Sequence, residues 1–203
     1  MKKVIVLATC AFSLLAAQET EKAHEFEYIG SEGCKICHSG SKKGGQYKVW
    51  ADGVHAKAFD SLKTEEAAKI AAERGLELPA YEAPECIVCH VTGYGKGGYE
   101  VKDEEFWNPP EADKEAKKAV KRMKGLQAVG CEVCHGPGSE YKSMKVMKAI
   151  FGGTVEGKSV GLLVPNEATC KQCHNENSPA YKPFEFENRG KEIAHPYPPD
   201  MKQ

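Results

Sequence analysis

Eight of the nine cysteines fall into four pairs of one spacing, each followed at once by a histidine. The copies read Cys34-Lys35-Ile36-Cys37-His38, Cys86-Ile87-Val88-Cys89-His90, Cys131-Glu132-Val133-Cys134-His135 and Cys170-Lys171-Gln172-Cys173-His174. At this composition such a pentapeptide is expected about 0.01 times per chain by chance. Two thiols separated by two residues can add to the two vinyl groups of one haem as thioethers, and the adjacent imidazole then reaches the iron. Zinc knuckles share the Cys-x-x-Cys spacing, but they work in pairs and do not require the histidine. A thioredoxin-like redox pair occurs once, beside a βαβ pattern. The spacing therefore predicts four covalent haem c groups, held by Cys34, Cys37, Cys86, Cys89, Cys131, Cys134, Cys170 and Cys173. His38, His90, His135 and His174 are the predicted proximal iron ligands.

Of the seven histidines, that leaves His24, His55 and His195 for four sixth coordination positions. At least one iron therefore lacks a second imidazole from its own chain. His55, in Trp50-Ala51-Asp52-Gly53-Val54-His55-Ala56-Lys57, reads as a distal ligand, with a surface histidine on a short helix as the plainer alternative. His195, in a Pro-rich tail, would order that tail by binding an iron. His24 lies close to the start of the exported chain, where fraying is the usual expectation, and the count favours it as the third distal ligand. Met123, Met144 and Met147 are also chemically able to ligate, but apolar packing is their plainer role.

Leu, Ile, Val and Phe together number only 37 of 203 residues. A near-neutral chain (net charge −1) with 20 Gly and 11 Pro is too poor in aliphatic residues for an ordinary core. Porphyrins would supply the missing apolar interior. Fewer than about 50 residues per macrocycle then forces neighbouring rings close together. A large α/β enzyme, a coiled coil and a multispan membrane protein are excluded.

Met1-Lys2-Lys3, the apolar run to Leu15 and Ala16-Ala17 together read as a secretory leader over residues 1–17, leaving 18–203 as one tetrahaem domain. A lipoprotein reading of Leu7-Ala8-Thr9-Cys10 has a short apolar stretch behind it. Export places the chain in the periplasm, with an extracellular or cell-surface location as the variant.

The elements around the motifs read as mostly α with long loops. Thr64 to Arg74 is a helix capped by Thr64 and stopped by Gly75. Glu111 to Lys124 is a second, started after Pro109-Pro110, and Ser139 to Phe151 is a third, stopped by Gly152-Gly153. Gly93 to Gly98 and Gly136 to Gly138 are loops, and Gly161 to Val164 is a short strand-like piece. The second helix carries Lys114, Lys117, Lys118, Lys121, Arg122 and Lys124. Its plain reading is a solvated face; the sharper one is a cationic patch for propionates or a redox partner. Nucleic acid is not an expected partner.

Beyond the bare motifs, the chain resembles the tetrahaem cytochrome c-554 family. The resemblance runs from about Gly33 to His195. It is carried by His55-Ala56-Lys57-Ala58, by Cys89-His90-Val91-Thr92-Gly93-Tyr94-Gly95 with Gly97-Gly98-Tyr99, and by Val129-Gly130-Cys131-Glu132 through Cys134-His135-Gly136-Pro137-Gly138. It implies a small, mostly helical multihaem fold wrapped around four closely packed haems in stacked pairs. Three haems would be bis-His, and the one on His90 five-coordinate. His55 and His195 would match the family's distal ligands. The family's distal histidine about ten residues after the third motif is missing from Tyr141 to Met147, so His24 is the candidate replacement.

No catalytic acid, base or nucleophile constellation is visible. The expected function is exported electron transfer between a redox enzyme, such as a hydroxylamine oxidoreductase-like donor, and a membrane or soluble acceptor. The alternatives are reduction of nitric oxide or hydroxylamine at the open haem, and a subunit of an extracellular cytochrome filament.

Overall fold

The computed structural model describes residues 26–179 and 181–197. The leader at 1–17, Cys10 and His24 lie outside the described residues. Helix accounts for 50 % of the structure, and no strand forms among the described residues. In chain order the helices are α1 (Glu32–His38), α2 (Gln46–Asp52), α3 (Ala58–Ser61), α4 (Glu65–Glu73) and α5 (Pro84–His90). They continue with α6 (Glu104–Trp107), α7 (Lys114–Gly125), α8 (Cys131–His135), α9 (Met144–Phe151), α10 (Glu167–Lys171) and α11 (Phe186–Ile193).

Local sequence signals explain most boundaries. The Thr64 hydroxyl accepts the Ala67 amide at the start of α4, and Gly75 follows with φ +68°. α7 starts later than the Pro109-Pro110 pair suggests, because Asp113, not an earlier acid, accepts the Ala116 amide as cap. The third predicted helix also shortens. Ser143 caps α9, while Ser139 to Lys142 form a turn in which the Tyr141 hydroxyl donates to the Gly136 carbonyl at 2.6 Å. The strand-like piece at Gly161 to Val164 forms no strand: Leu162 N–H donates to Gly157 O at 2.9 Å in a local turn, and Leu163 N–H donates to His135 O of the third motif at 2.9 Å.

The protein-only core is small and gathers round the second motif. Ile87 and Leu126 are fully buried, with Phe59, Leu62, Val91, Tyr99 and Met123 around them. α1, α9, α10 and α11 contain no buried residue at all. Ile36, inside the first motif, is 91 % exposed. These helices gain little apolar burial from the protein's own side chains.

The segment Leu126 to Gly130 ties three motifs together. Thr92, beside the second motif, donates to Ala128 O at 2.7 Å and accepts Gly130 N–H at 3.0 Å. Val129 N–H donates to His55 O at 3.1 Å, and Trp50 Nε1 donates to Val129 O at 2.9 Å. A Cβ at Gly130 would lie 2.5 Å from Ser31 Oγ and 2.8 Å from Thr92 Oγ1. Only glycine permits this approach of the first and second motif flanks to the third.

Candidate functional site

A helical turn puts the two cysteines of each pentapeptide, three residues apart, on one face, with the histidine one residue on. Three motifs lie wholly in helices, α1, α5 and α8. In the fourth, α10 ends at Lys171, and Cys173 and His174 follow in a turn closed by His174 N–H to Cys170 O at 2.9 Å. All eight cysteines are free of disulfides.

The thiols show how the motifs meet. Cys34 and Cys131 hydrogen-bond each other, as do Cys89 and Cys173. The shared proton pulls Cys131 and Cys89 each down to about 7. Their partners Cys34 and Cys173 are pushed up, first by that hydrogen bond and then by burial. Cys134 is raised to about 11 by burial, with Cys170 close enough to add charge repulsion. In space the motifs therefore run first, third, fourth, second, with no motif isolated from the rest.

The histidines fall into facing pairs. His55 and His174 have ring centroids 6.1 Å apart, and His135 and His195 are 5.9 Å apart. Two imidazoles on opposite sides of one metal ion, each with a metal–nitrogen bond near 2 Å, have their ring centres about 6 Å apart. Burial lowers the pKa values of His55, His135 and His174. That favours the neutral imidazole a metal requires. His174 also stacks on Phe184 at 4.7 Å. Among the described residues, no ring contact joins His38 or His90 to another imidazole.

Most of the Nδ1 atoms are engaged, which leaves Nε2 as the free nitrogen. His90 Nδ1 donates to Ala58 O at 2.6 Å, with Ser61 Oγ at 3.3 Å. His135 Nδ1 donates to Leu163 O at 3.2 Å. His38 Nδ1 donates to Gln46 Oε1 at 3.3 Å. These donor sets and spacings fit covalent haem.

Two residues escape a reading based on motifs. Glu132, inside the third motif, is 2 % exposed. Its carboxylate accepts the amides of Ile29 (2.9 and 3.1 Å), Gly30 (2.7 Å) and Gly138 (2.7 Å). Burial raises its pKa against the pull of these amides and of Arg122. Gln46 is buried beside His38. A variable position inside a haem motif and a lone glutamine carry no signal of their own.

The basic helix divides its charges. Arg122 turns inward, donating to Tyr28 O and Gly97 O at 2.9 Å each. Lys118 pairs with Glu115 at 3.7 Å. Lys117, Lys121 and Lys124 line a cavity of about 560 Å³ with Trp50, Ala56 and Glu32. No described helix is long and apolar enough to cross a membrane.

A family model described as "Cytochrome c554 and c-prime" matches residues 33–136. Cytochrome c-554 of Nitrosomonas europaea is 32 % identical over 140 residues, 68 % of this chain and 49 % of that protein, so the chain spans about half the length of this curated relative. The structure of reduced cytochrome c554 from Nitrosomonas europaea matches with a TM-score of 0.50 at 28 % identity, over 83 % of this chain and 78 % of that one. The chain belongs to the cytochrome c554 family, whose members are multihaem c-type cytochromes with covalently bound haem c.

Proposed function

We propose that this chain is an exported, periplasmic electron carrier with four haems, one on each motif. Cys34 and Cys37, Cys86 and Cys89, Cys131 and Cys134, and Cys170 and Cys173 form the thioethers. His38, His90, His135 and His174 are the proximal ligands. Bound haem supplies reversible one-electron chemistry. The chain's own contribution is to fix the attachment sites next to one another and to set the axial ligands.

The observation that carries this reading is the two facing pairs of histidines. His55 opposite His174 and His135 opposite His195 would each fill both axial positions of one iron. An iron filled in this way has no position for a substrate, which suits a carrier rather than an enzyme. Because His195 faces His135, His24 becomes the candidate opposite His38 instead of at the third haem, where the resemblance placed it. The carrier reading predicts stepwise reduction at several potentials in a redox titration. A single shared potential for all the iron would remove it. The donor is a redox enzyme, with hydroxylamine oxidoreductase as the family-based candidate.

A second reading concerns His90, which faces no second imidazole among the described residues. That position would leave one iron five-coordinate and open to nitric oxide or hydroxylamine. A high-spin signal in the oxidised protein, lost on adding nitric oxide, supports it. A purely low-spin spectrum ends it.

A further inference from the structure

The geometry points to Gln46 as a positioning residue that joins the axial ligands of the first and third haems through one side-chain amide. Its Oε1 accepts His38 Nδ1–H at 3.3 Å. Its Nε2 donates to the carbonyl of Pro196 at 3.1 Å. That same carbonyl accepts His195 Nδ1–H at 3.4 Å. The imidazole of the first motif and the tail imidazole facing His135 are thus linked by one amide and one carbonyl.

The surrounding backbone is shaped for this contact. Gln46 is 8 % exposed, at the first position of α2. Gly44 adopts φ +99°, and a Cβ there would lie 2.6 Å from Gln46 Nε2 and 2.7 Å from Pro196 O. The tail closes onto Gln46 only because that position carries no side chain. His90 and His135 give their Nδ1 protons to backbone carbonyls, which no substitution removes. His38 gives its proton to a replaceable side chain.

Gln46 acts on the iron sites in two separable ways. An acceptor at Nδ1–H makes the imidazole more basic and favours ferric iron, lowering the potential. The amide donor holds the Pro196 carbonyl and so keeps His195 turned towards His135. The inference rests on the axial-ligand reading above, and the test separates the two.

Gln46→Leu, Gln46→Glu and Gly44→Ala are made in the full haem-loaded protein. They are followed by haem content, spectroelectrochemical titration and electron paramagnetic resonance. Gln46→Leu raises one midpoint potential, because His38 loses its acceptor. Gln46→Glu lowers that same midpoint, because a carboxylate accepts more strongly. Both lose the donor to Pro196, and both gain high-spin signal up to one further iron. Gly44→Ala, which leaves the amide intact but wedges the tail away, gains the same high-spin signal.

A merely structural glutamine moves the midpoint in the same direction in both Gln46 variants, or not at all, and either result overturns the proposal. If Gln46→Leu does not load its haems, Gln46→Glu and Gly44→Ala still decide: an unchanged spin count in both is contrary. His195→Ala is the control for the ligand assignment. Should it leave the spin count unchanged, the axial-ligand reading fails. Should it release one high-spin iron while the Gln46 variants change nothing, only the role of Gln46 fails.

Discussion

His55 and His174, from the first and fourth motif regions, hold their rings 6.1 Å apart at 56°, and burial lowers the pKa of both. The backbone of His55 is fixed independently of any iron, by Val129 N–H donating to His55 O at 3.1 Å. On the proposed axial pairing, replacing His55 therefore removes a ligand without releasing the segment that carries it. His55→Ala converts one low-spin iron to high-spin while haem content stays constant. His195→Ala does the same at the third motif. Electron paramagnetic resonance of the oxidised variants counts both, and an unchanged spin count in either removes that residue as a ligand.

Glu132 makes the third motif depend on the chain before the first. Three amides point at its carboxylate, those of Gly30 and Gly138 buried and that of Ile29 partly buried. Glu132→Ala leaves them unpaired at a cost of about 3 kcal/mol or more, and Glu132→Gln, which keeps one acceptor oxygen, costs about 1–3 kcal/mol. Burial holds this carboxyl's pKa above its ordinary value. Folding then takes up a proton in the window just above the ordinary carboxylate range. Stability falls as pH rises through that window and is level on either side of it. Denaturant melts across pH check the sign, and Glu132→Gln loses this slope.

The sequence made the covalent chemistry legible because that chemistry is local. On the proposed reading five residues hold one haem, and their spacing is the same wherever the motif sits. Thr64 marked its helix for the same reason, since a cap acts over three residues. The pairing of His55 with His174 was not legible, because it follows from the turns between Leu126 and Gly130 and from contacts across the whole chain. Gln46 was invisible for a related reason: a glutamine gains its role only from the tail that closes on it. The third predicted helix ran too long because Tyr141 is drawn to the Gly136 carbonyl, a contact that helical periodicity does not encode.

On the proposed four-haem reading, the fourth motif draws its apolar contacts from its haem. α10 and α11 bury no side chain, whereas the second motif packs against Ile87, Leu126 and Phe59. Cys170→Ala with Cys173→Ala therefore loosens residues 167–194 and leaves the core round Ile87 folded. Limited proteolysis with haem staining checks this. The expected product is a shortened fragment that retains its other haems, and uniform digestion of the whole chain is the contrary result.

Lys117, Lys121 and Lys124 form one stripe along α7, since positions four and three residues apart share a helix face. Among the described residues none of the three belongs to an ion pair, whereas Lys48 and Lys69 are paired with Asp52 and Glu73. Glu32, across the cavity, feels Lys121 and has its pKa lowered mainly by its hydrogen bond from Tyr47. On a chain of net charge −1, this is a local cationic field. Such a field speeds encounter with an anionic donor at low salt and fades as the Debye length shortens. Replacing all three with Gln slows reduction by a small anionic donor about tenfold at low ionic strength. It also flattens the salt dependence, while the rate with a neutral donor stays constant. Replacing Lys48 together with Asp52, and Lys69 together with Glu73, changes neither rate, because each pair is removed with no change in net charge. Stopped-flow reduction across ionic strength measures all of these rates, and an undiminished salt slope in the triple variant places the steering charge elsewhere.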